Sequence, residues 1–197
     1  MSRQIIVGIS GASGAPYAVR LVELLAQNDV LVHLVVSRHG RRLLSDELGI
    51  KKLDPDQLTG GRVDRLIIHN ENDVGATIAS GSFMHDGMIV VPCSGNTLAK
   101  IACGITDNLL QRAATVTLKE RRTLVLAHRE SPLSLIELEN MKRVTESGGT
   151  IVPLSPGFYL LPQKIEELID FMVAKLLDLV GVDHDLDMRW DANRIEA

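Results

Sequence analysis

One stretch constrains the fold of this chain more than any other: Ile5-Ile6-Val7-Gly8-Ile9-Ser10-Gly11-Ala12-Ser13-Gly14-Ala15-Pro16-Tyr17. An apolar, β-branched run without polar alternation reads as a central strand covered on both faces. It gives way to a loop of small residues, where Gly11 and Gly14 permit positive φ and close backbone approach. Pro16 suits the first turn of a helix, where its missing N–H costs nothing. The loop is therefore expected to aim free N–H groups and the positive end of a helix dipole outward, a setting that suits a phosphate.

The rest of the chain alternates in the same way. Apolar strands are predicted at about 5–9, 30–36, 65–69, 87–92, 123–127 and 150–153, and helices at 17–27, 39–48, 98–103, 108–121, 132–146 and 165–180. Residues 50–65 read as a polar surface excursion. The pattern implies an α/β fold: a single-domain, doubly wound, mostly parallel sheet in a Rossmann/flavodoxin-like three-layer arrangement. With 197 residues the chain is long enough for one full core, so the domain is placed at 1–197 with a polar tail from about 183. A net charge of −4 argues against nucleic acid as a partner. The apolar runs are too short to span a membrane, and residues 1–10 lack a signal-peptide pattern. Cys93 and Cys103 form neither a metal spacing nor an expected disulfide, so a cytoplasmic, reduced setting is expected. The six histidines look scattered, as surface or core residues, and no metal site is predicted.

In doubly wound sheets ligands bind beyond the carboxyl ends of the strands. Here those ends deliver residues 10–14, Ser37, residues 94–97, Arg129 with Glu130, and Tyr159. Ser94, Gly95, Asn96 and Thr97 offer a second nest of N–H and hydroxyl groups. Arg112, Lys119, Arg129 and Lys175 come from separate places; if they converge, they can neutralise a second, mobile phosphate. Arg112 and Lys119 are seven apart on one helix, so they share a side about 10 Å apart along the axis. Glu130 beside Arg129, together with Glu47, provides carboxylates for proton transfer. Glu47 sits in the last turn of its own helix, the wrong end for the dipole.

These residues carry a family resemblance. Gly11-Ala12-Ser13-Gly14-Ala15, Ser80-Gly81-Ser82-Phe83, Pro92-Cys93-Ser94-x-x-Thr97-Leu98, Arg112-Ala113-Ala114, Leu118-Lys119-Glu120-Arg121-Arg122, Arg129-Glu130-x-Pro132 and Gly157-Phe158-Tyr159 occur in this order. In that set the chain resembles the UbiX-type flavin prenyltransferases over nearly its whole length. The resemblance implies binding of reduced FMN and dimethylallyl phosphate. It implies transfer of the prenyl group to flavin N5, ring closure at C6 and release of phosphate without a metal. The prenylated FMN would pass to a UbiD-type decarboxylase. By the same resemblance Gly11, Ala12, Ser13, Ser37, Ser94, Gly95, Asn96, Thr97 and Arg129 contact FMN. Arg112, Lys119, Arg129, Tyr159 and Lys175 hold the prenyl phosphate, and Ser13, Glu47, Glu130 and Lys119 are catalytic. Lys175 stands where some relatives carry Arg, keeping the charge but losing the bidentate fork. A homo-oligomer is implied, a dodecamer, with active sites between subunits. Residues 80–83, Met188 and Trp190 are candidates for those contacts, and Arg189-Trp190 for closing over the prenyl site.

Three other readings compete. An FMN-dependent cysteine decarboxylase shares a motif close to Pro92-Cys93-Ser94-Gly95-Asn96-Thr97, but its Pro-x-Met-Asn-x-x-Met-Trp stretch and its catalytic His are absent. An NADP-dependent dehydrogenase needs a Tyr-x-x-x-Lys pair, and here Tyr17 is followed by Leu21 and Tyr159 by Gln163. A non-catalytic flavin-binding subunit would have no use for the cationic set.

Overall fold

A computed structural model describes residues 3–188. Its six strands are β1 (Gln4–Ile9), β2 (Leu31–Val36), β3 (Leu66–His69), β4 (Gly87–Cys93), β5 (Leu124–His128) and β6 (Thr150–Pro153). All neighbours pair in parallel, in the order β3-β2-β1-β4-β5-β6. The helices are α1 (Ala15–Gln27), α2 (Arg38–Leu48), α3 (Pro55–Thr59), α4 (Gly95–Ala102), α5 (Leu109–Lys119), α6 (Leu135–Glu146) and α7 (Ile165–Leu179). The strand order reverses direction between β1 and β4. This is the switch point, where the loops leaving two adjacent strands part to opposite faces and open a crevice.

The pleat of β1 divides the core. Ile5, Val7 and Ile9 pack on one face with Leu21 and Leu25 of α1 and Leu176 and Leu177 of α7. Ile6 packs on the other face with Leu98 of α4 and Leu110 and Ala113 of α5. Gly8 also points to this second face. A Cβ there would lie 3.0 Å from Leu110 Cγ, so Leu110 occupies the space a side chain would take.

Helix starts depart from the sequence expectation where capping side chains decide them. α4 begins at Gly95, not at Leu98, because the Ser94 hydroxyl accepts the Thr97 N–H at 3.3 Å. α6 begins at Leu135, not at Pro132, because Ser134 and Glu137 form a capping box. The 50–65 excursion contains α3, capped by Asp54, and a 3-10 turn at Val63–Arg65.

At the switch point Ser10 ties β1 to β4. Its buried hydroxyl donates to Pro92 O at 2.8 Å and accepts from Ser94 N–H at 2.8 Å. The β4–β5 ladder shifts register between Val90 and Cys93, where Pro92 has no N–H to give.

Three of the six histidines meet, although none of the six departs from a surface or core position. His33 Nδ1 lies 3.0 Å from His69 Nε2, and His33 Nε2 lies 3.0 Å from Gln4 Oε1. Phe83 meets His33 edge-on at 5.0 Å and stacks on His85 at 6.1 Å, so this residue of the 80–83 stretch packs within its own chain. Burial, with His69 and His85 close by, pushes His33 down to about 4.

Two predictions follow from these buried groups. Ser10→Ala leaves the Ser94 N–H without its buried acceptor and is expected to cost about 1–3 kcal/mol, measured by urea unfolding. His33 is held neutral in the fold but is free to protonate in the unfolded chain. Stability is therefore fully present above about pH 6.5 and is lost as pH falls towards about 4. His33 alone is expected to remove about 2 kcal/mol between about pH 7.5 and about pH 5, and unfolding curves of His33→Gln should show that much less pH dependence.

Candidate active site

Three segments meet at the carboxyl end of the sheet. Ser37 caps α2, accepting the Gly40 N–H at 3.1 Å, while its own N–H donates to Ile9 O at 2.9 Å. A Cβ on Gly40 would sit 2.5 Å from Ile9 O, and one on Gly11 would sit 2.5 Å from His39 Cβ. These two glycines let α2 lie directly against the loop that follows β1.

The far end of α2 reaches the same loop. Glu47 Oε2 accepts the N–H of Gly14 at 3.1 Å and of Ala15 at 2.8 Å. This corrects the expectation that the first N–H groups of α1 are free for a phosphate, since a carboxylate of the chain itself sits there. It also explains the position of Glu47. The carboxylate is badly placed for the dipole of α2 and well placed for that of α1.

Arg129 closes the crevice from β5. Its Nε donates to Ser13 O at 3.3 Å, and its backbone N–H donates to Cys93 O at 3.3 Å. Glu130 Oε1 lies 3.9 Å from Arg129 Nη1 and accepts the Ser131 N–H at 3.1 Å. Both side chains are 40% exposed, so this pair is weak and free to exchange partners. Ser94 Oγ donates to Thr97 Oγ1 at 3.1 Å. Gly11, Ser13 and Asn96 are exposed on the rim, whereas Ala12 and Thr97 are buried beneath it. The structure thus brings Gly11, Ala12, Ser13, Ser37, Glu47, Ser94, Gly95, Asn96, Thr97, Arg129 and Glu130 to one edge.

Two supporting residues escape the sequence reading. Buried His128 lies close enough to Cys93 O, 2.9 Å from Nδ1, to donate to it. Its Nε2 faces Glu137 Oε1 at 3.7 Å, beyond hydrogen-bond length. Glu137 Oε2 accepts from the Ser134 N–H at 2.9 Å and the Ser134 hydroxyl at 3.0 Å, and these bonds hold its carboxyl below the ordinary value. Glu137 Oε1 lies 2.9 Å from where a Gly95 Cβ would be, so in this arrangement the carboxylate occupies the space beside the glycine. The Ser-x-x-Glu spacing at 134–137 signals the cap in the sequence; nothing signals His128.

The four cations do not converge within one chain. Tyr159 and Lys175 line one cavity of about 320 Å³, with Phe171, Asp178, His184 and Met188. Tyr159 meets Phe171 edge-on at 5.5 Å. Met188 packs here on its own chain, while Arg189 and Trp190 lie outside the described residues. Arg112 Nε donates to Ala79 O at 3.1 Å, and Lys119 pairs with Glu120. Lys119 ends α5 just before β5 begins, at the edge where the strands start. The length of β1, about 20 Å, separates that edge from the Gly11 loop. Among the described residues no group of three or more His, Cys, Asp or Glu could hold a metal ion.

Comparison with known proteins decides the family. The Flavoprotein family matches residues 1–177. The flavin prenyltransferase UbiX of Halalkalibacterium halodurans is 45% identical over 192 residues, covering 95% of this chain and 93% of its own. The chain belongs to the UbiX-type flavin prenyltransferase family. A UbiX-type crystal structure, AnUbiX in complex with FMN and dimethylallyl pyrophosphate, matches with a TM-score of 0.91 at 42% identity, covering 98% of this chain and 99% of that one. The dodecameric FMN-dependent UbiX-like decarboxylase from Escherichia coli O157:H7 matches with a TM-score of 0.88 at 42% identity, covering 96% and 100%.

The contacts of Glu47 separate capping from proton transfer. Glu47→Ala is expected to lower stability by about 1 kcal/mol in thermal unfolding, and Glu47→Gln, which keeps an acceptor oxygen, by less. Turnover that is lost equally in both variants would assign Glu47 a proton-transfer role in addition to the cap.

Proposed function

We infer that this chain transfers the dimethylallyl group of dimethylallyl phosphate to N5 and C6 of reduced FMN, releasing phosphate. The observation that carries the reading is the convergence of the flavin-side residues at the β1/β4 switch point, in a fold matching AnUbiX in complex with FMN and dimethylallyl pyrophosphate at a TM-score of 0.91. The donor set suits FMN. Hydroxyls of Ser37 and Ser94, the first turn of α4 and the Arg129 guanidinium offer hydrogen bonds and positive charge. Gly11 and Gly95 let His39 and Glu137 pack close against the backs of the two loops. FMN supplies the ring nitrogen and carbon that accept the allyl group.

The chain's own residues manage charge and protons. Breaking the allylic C–O bond sends its electron pair to phosphate, and the Lys175 ammonium stabilises the charge that develops there. Tyr159 and Phe171 present an aromatic wall to the allyl carbon chain. Ser13 and Glu130, exposed on the rim, are placed to exchange protons with the acceptor or with phosphate, and Glu47 lies beside them. Lys119 sits away from this edge in its own chain and Arg112 is turned to the Ala79 carbonyl, so both serve through a neighbouring copy in a homo-oligomer. The match to a dodecameric UbiX-like protein supports that assembly. No helix among the described residues is long and apolar enough to cross a membrane, which suits a cytoplasmic enzyme handing prenylated FMN to a UbiD-type decarboxylase.

The test is anaerobic incubation with reduced FMN and dimethylallyl phosphate in the presence of a chelator. The flavin is expected to gain the mass of one prenyl unit, with stoichiometric phosphate release. Folded, FMN-loaded protein that leaves the flavin mass unchanged would overturn the reading.

A further inference from the structure

Two of the cations read as ligands of the prenyl phosphate, Arg112 and Lys119, come from α5 and rest on one stretch of backbone, residues 79–83. Arg112 Nε donates to Ala79 O at 3.1 Å. A Cβ on Gly81 would overlap the Glu120 carboxylate and lie 2.8 Å from Lys119 Nζ, so the Lys119–Glu120 pair lies directly against that glycine. Both side chains are long and partly exposed, and a surface ion pair between them fixes neither in place. What limits their position is the backbone beneath them.

Arg122 holds that backbone. Its Nη1 donates to Phe83 O at 2.6 Å and its Nη2 to Gly81 O at 2.9 Å. The two bonds run from one planar fork to carbonyls two residues apart, which fixes the distance and the orientation of the stretch together. A tight turn brings Arg122 there. α5 ends at Lys119, Arg121 takes φ 57°, and the Arg122 N–H returns to Thr117 O at 3.0 Å. Lys119 and Arg122 thus leave one turn and meet at one glycine, the ammonium on the side a Cβ would occupy and the guanidinium on the carbonyl. The far end of the stretch is anchored separately, by the Phe83 ring against His33 and His85. The proposed function uses Lys119 of the 118–122 block and leaves Arg122 without a task.

We propose that Arg122 is a positioning residue for the prenyl donor: by pinning the carbonyls of Gly81 and Phe83 it fixes the backbone on which Lys119 lies, and so sets where the Lys119 ammonium meets the donor's phosphate. The inference rests on the reading of Lys119 as a ligand of that phosphate through a neighbouring copy.

Steady-state kinetics and FMN titration of the purified protein test this. Arg122→Gln is expected to raise KM for dimethylallyl phosphate roughly tenfold, with the dissociation constant for FMN and the size of the assembly by light scattering unchanged. Arg122→Lys keeps the charge but loses the fork and should still raise KM roughly threefold or more; should Arg122→Gln fail to fold, the Lys variant carries the test. The decisive arm is the cycle with Lys119→Ala. Because Arg122 acts through Lys119, its replacement should change KM by less than about twofold once Lys119 is gone. The full loss in that background overturns the proposal. So does a wild-type KM in Arg122→Lys, which would mean that charge alone suffices, and so does a smaller assembly in Arg122→Gln, which would make the residue a structural one. If Lys119→Ala itself leaves KM unchanged in protein that still prenylates FMN, the assignment of Lys119 falls, and this inference falls with it. A wild-type protein that leaves the flavin mass unchanged overturns the prenyltransferase reading instead.

Discussion

One buried serine ties together the two strand ends that carry the candidate active site. Ser10 joins the end of β1 to the end of β4 by donating to Pro92 O and accepting from Ser94 N–H. The Ser10 backbone N–H also donates to Pro92 O, at 3.2 Å, but Pro92 has no N–H to give and the two strands send their loops to opposite faces beyond it. The side-chain hydroxyl reinforces that backbone bond and extends it to the Ser94 N–H. The Gly11 loop leaves from one side of it and the Ser94 cap of α4 from the other. The crevice between them is therefore tied at its root by three hydrogen bonds of Ser10, two from its hydroxyl at 2.8 Å and one from its backbone N–H at 3.2 Å.

Charge is arranged around that root with some economy. The N-terminus of α1 is answered by Glu47 and that of α4 by the Ser94 side chain, so neither helix end is left to water alone. Glu137 reaches Gly95 from behind the second loop, and Arg129 reaches Ser13 from beside the first. Negative groups thus lie behind or at the ends of the crevice, while the guanidinium of Arg129 faces it.

Much of this was legible in the sequence, and the parts that were not have a common physical cause. The parallel sheet, the covered β1 and the strand-end residues follow from unbroken apolar runs and from the small residues that end them. The flavin-side residues gathered as expected because topology alone carries strand ends to one edge. What failed were judgements that needed two distant segments at once. Glu47 looked misplaced because its own helix was the only frame available, and the helix it serves lies thirty-odd positions earlier. His33, His69 and His85 looked scattered because their meeting depends on which strands are neighbours. The cationic set looked as if it might converge, yet Lys119 ends a helix at the edge where the strands begin. Cap positions erred for a milder reason, since Ser94 and Ser134 decide helix starts by single hydrogen bonds.

α2 is attached to the loop after β1 at both of its ends. Ser37 binds Ile9 at one end, and Glu47 binds Gly14 and Ala15 at the other. Residues 10–14 are therefore strung between two fixed posts, like a short string on a bridge. Freezing a free backbone costs about 1–2 kcal/mol per residue. In this loop that cost is met once, when the chain folds, and is not charged again each time a ligand arrives. A ligand binding there meets a surface already in its final shape, so its affinity is not diminished by having to organise its own receptor.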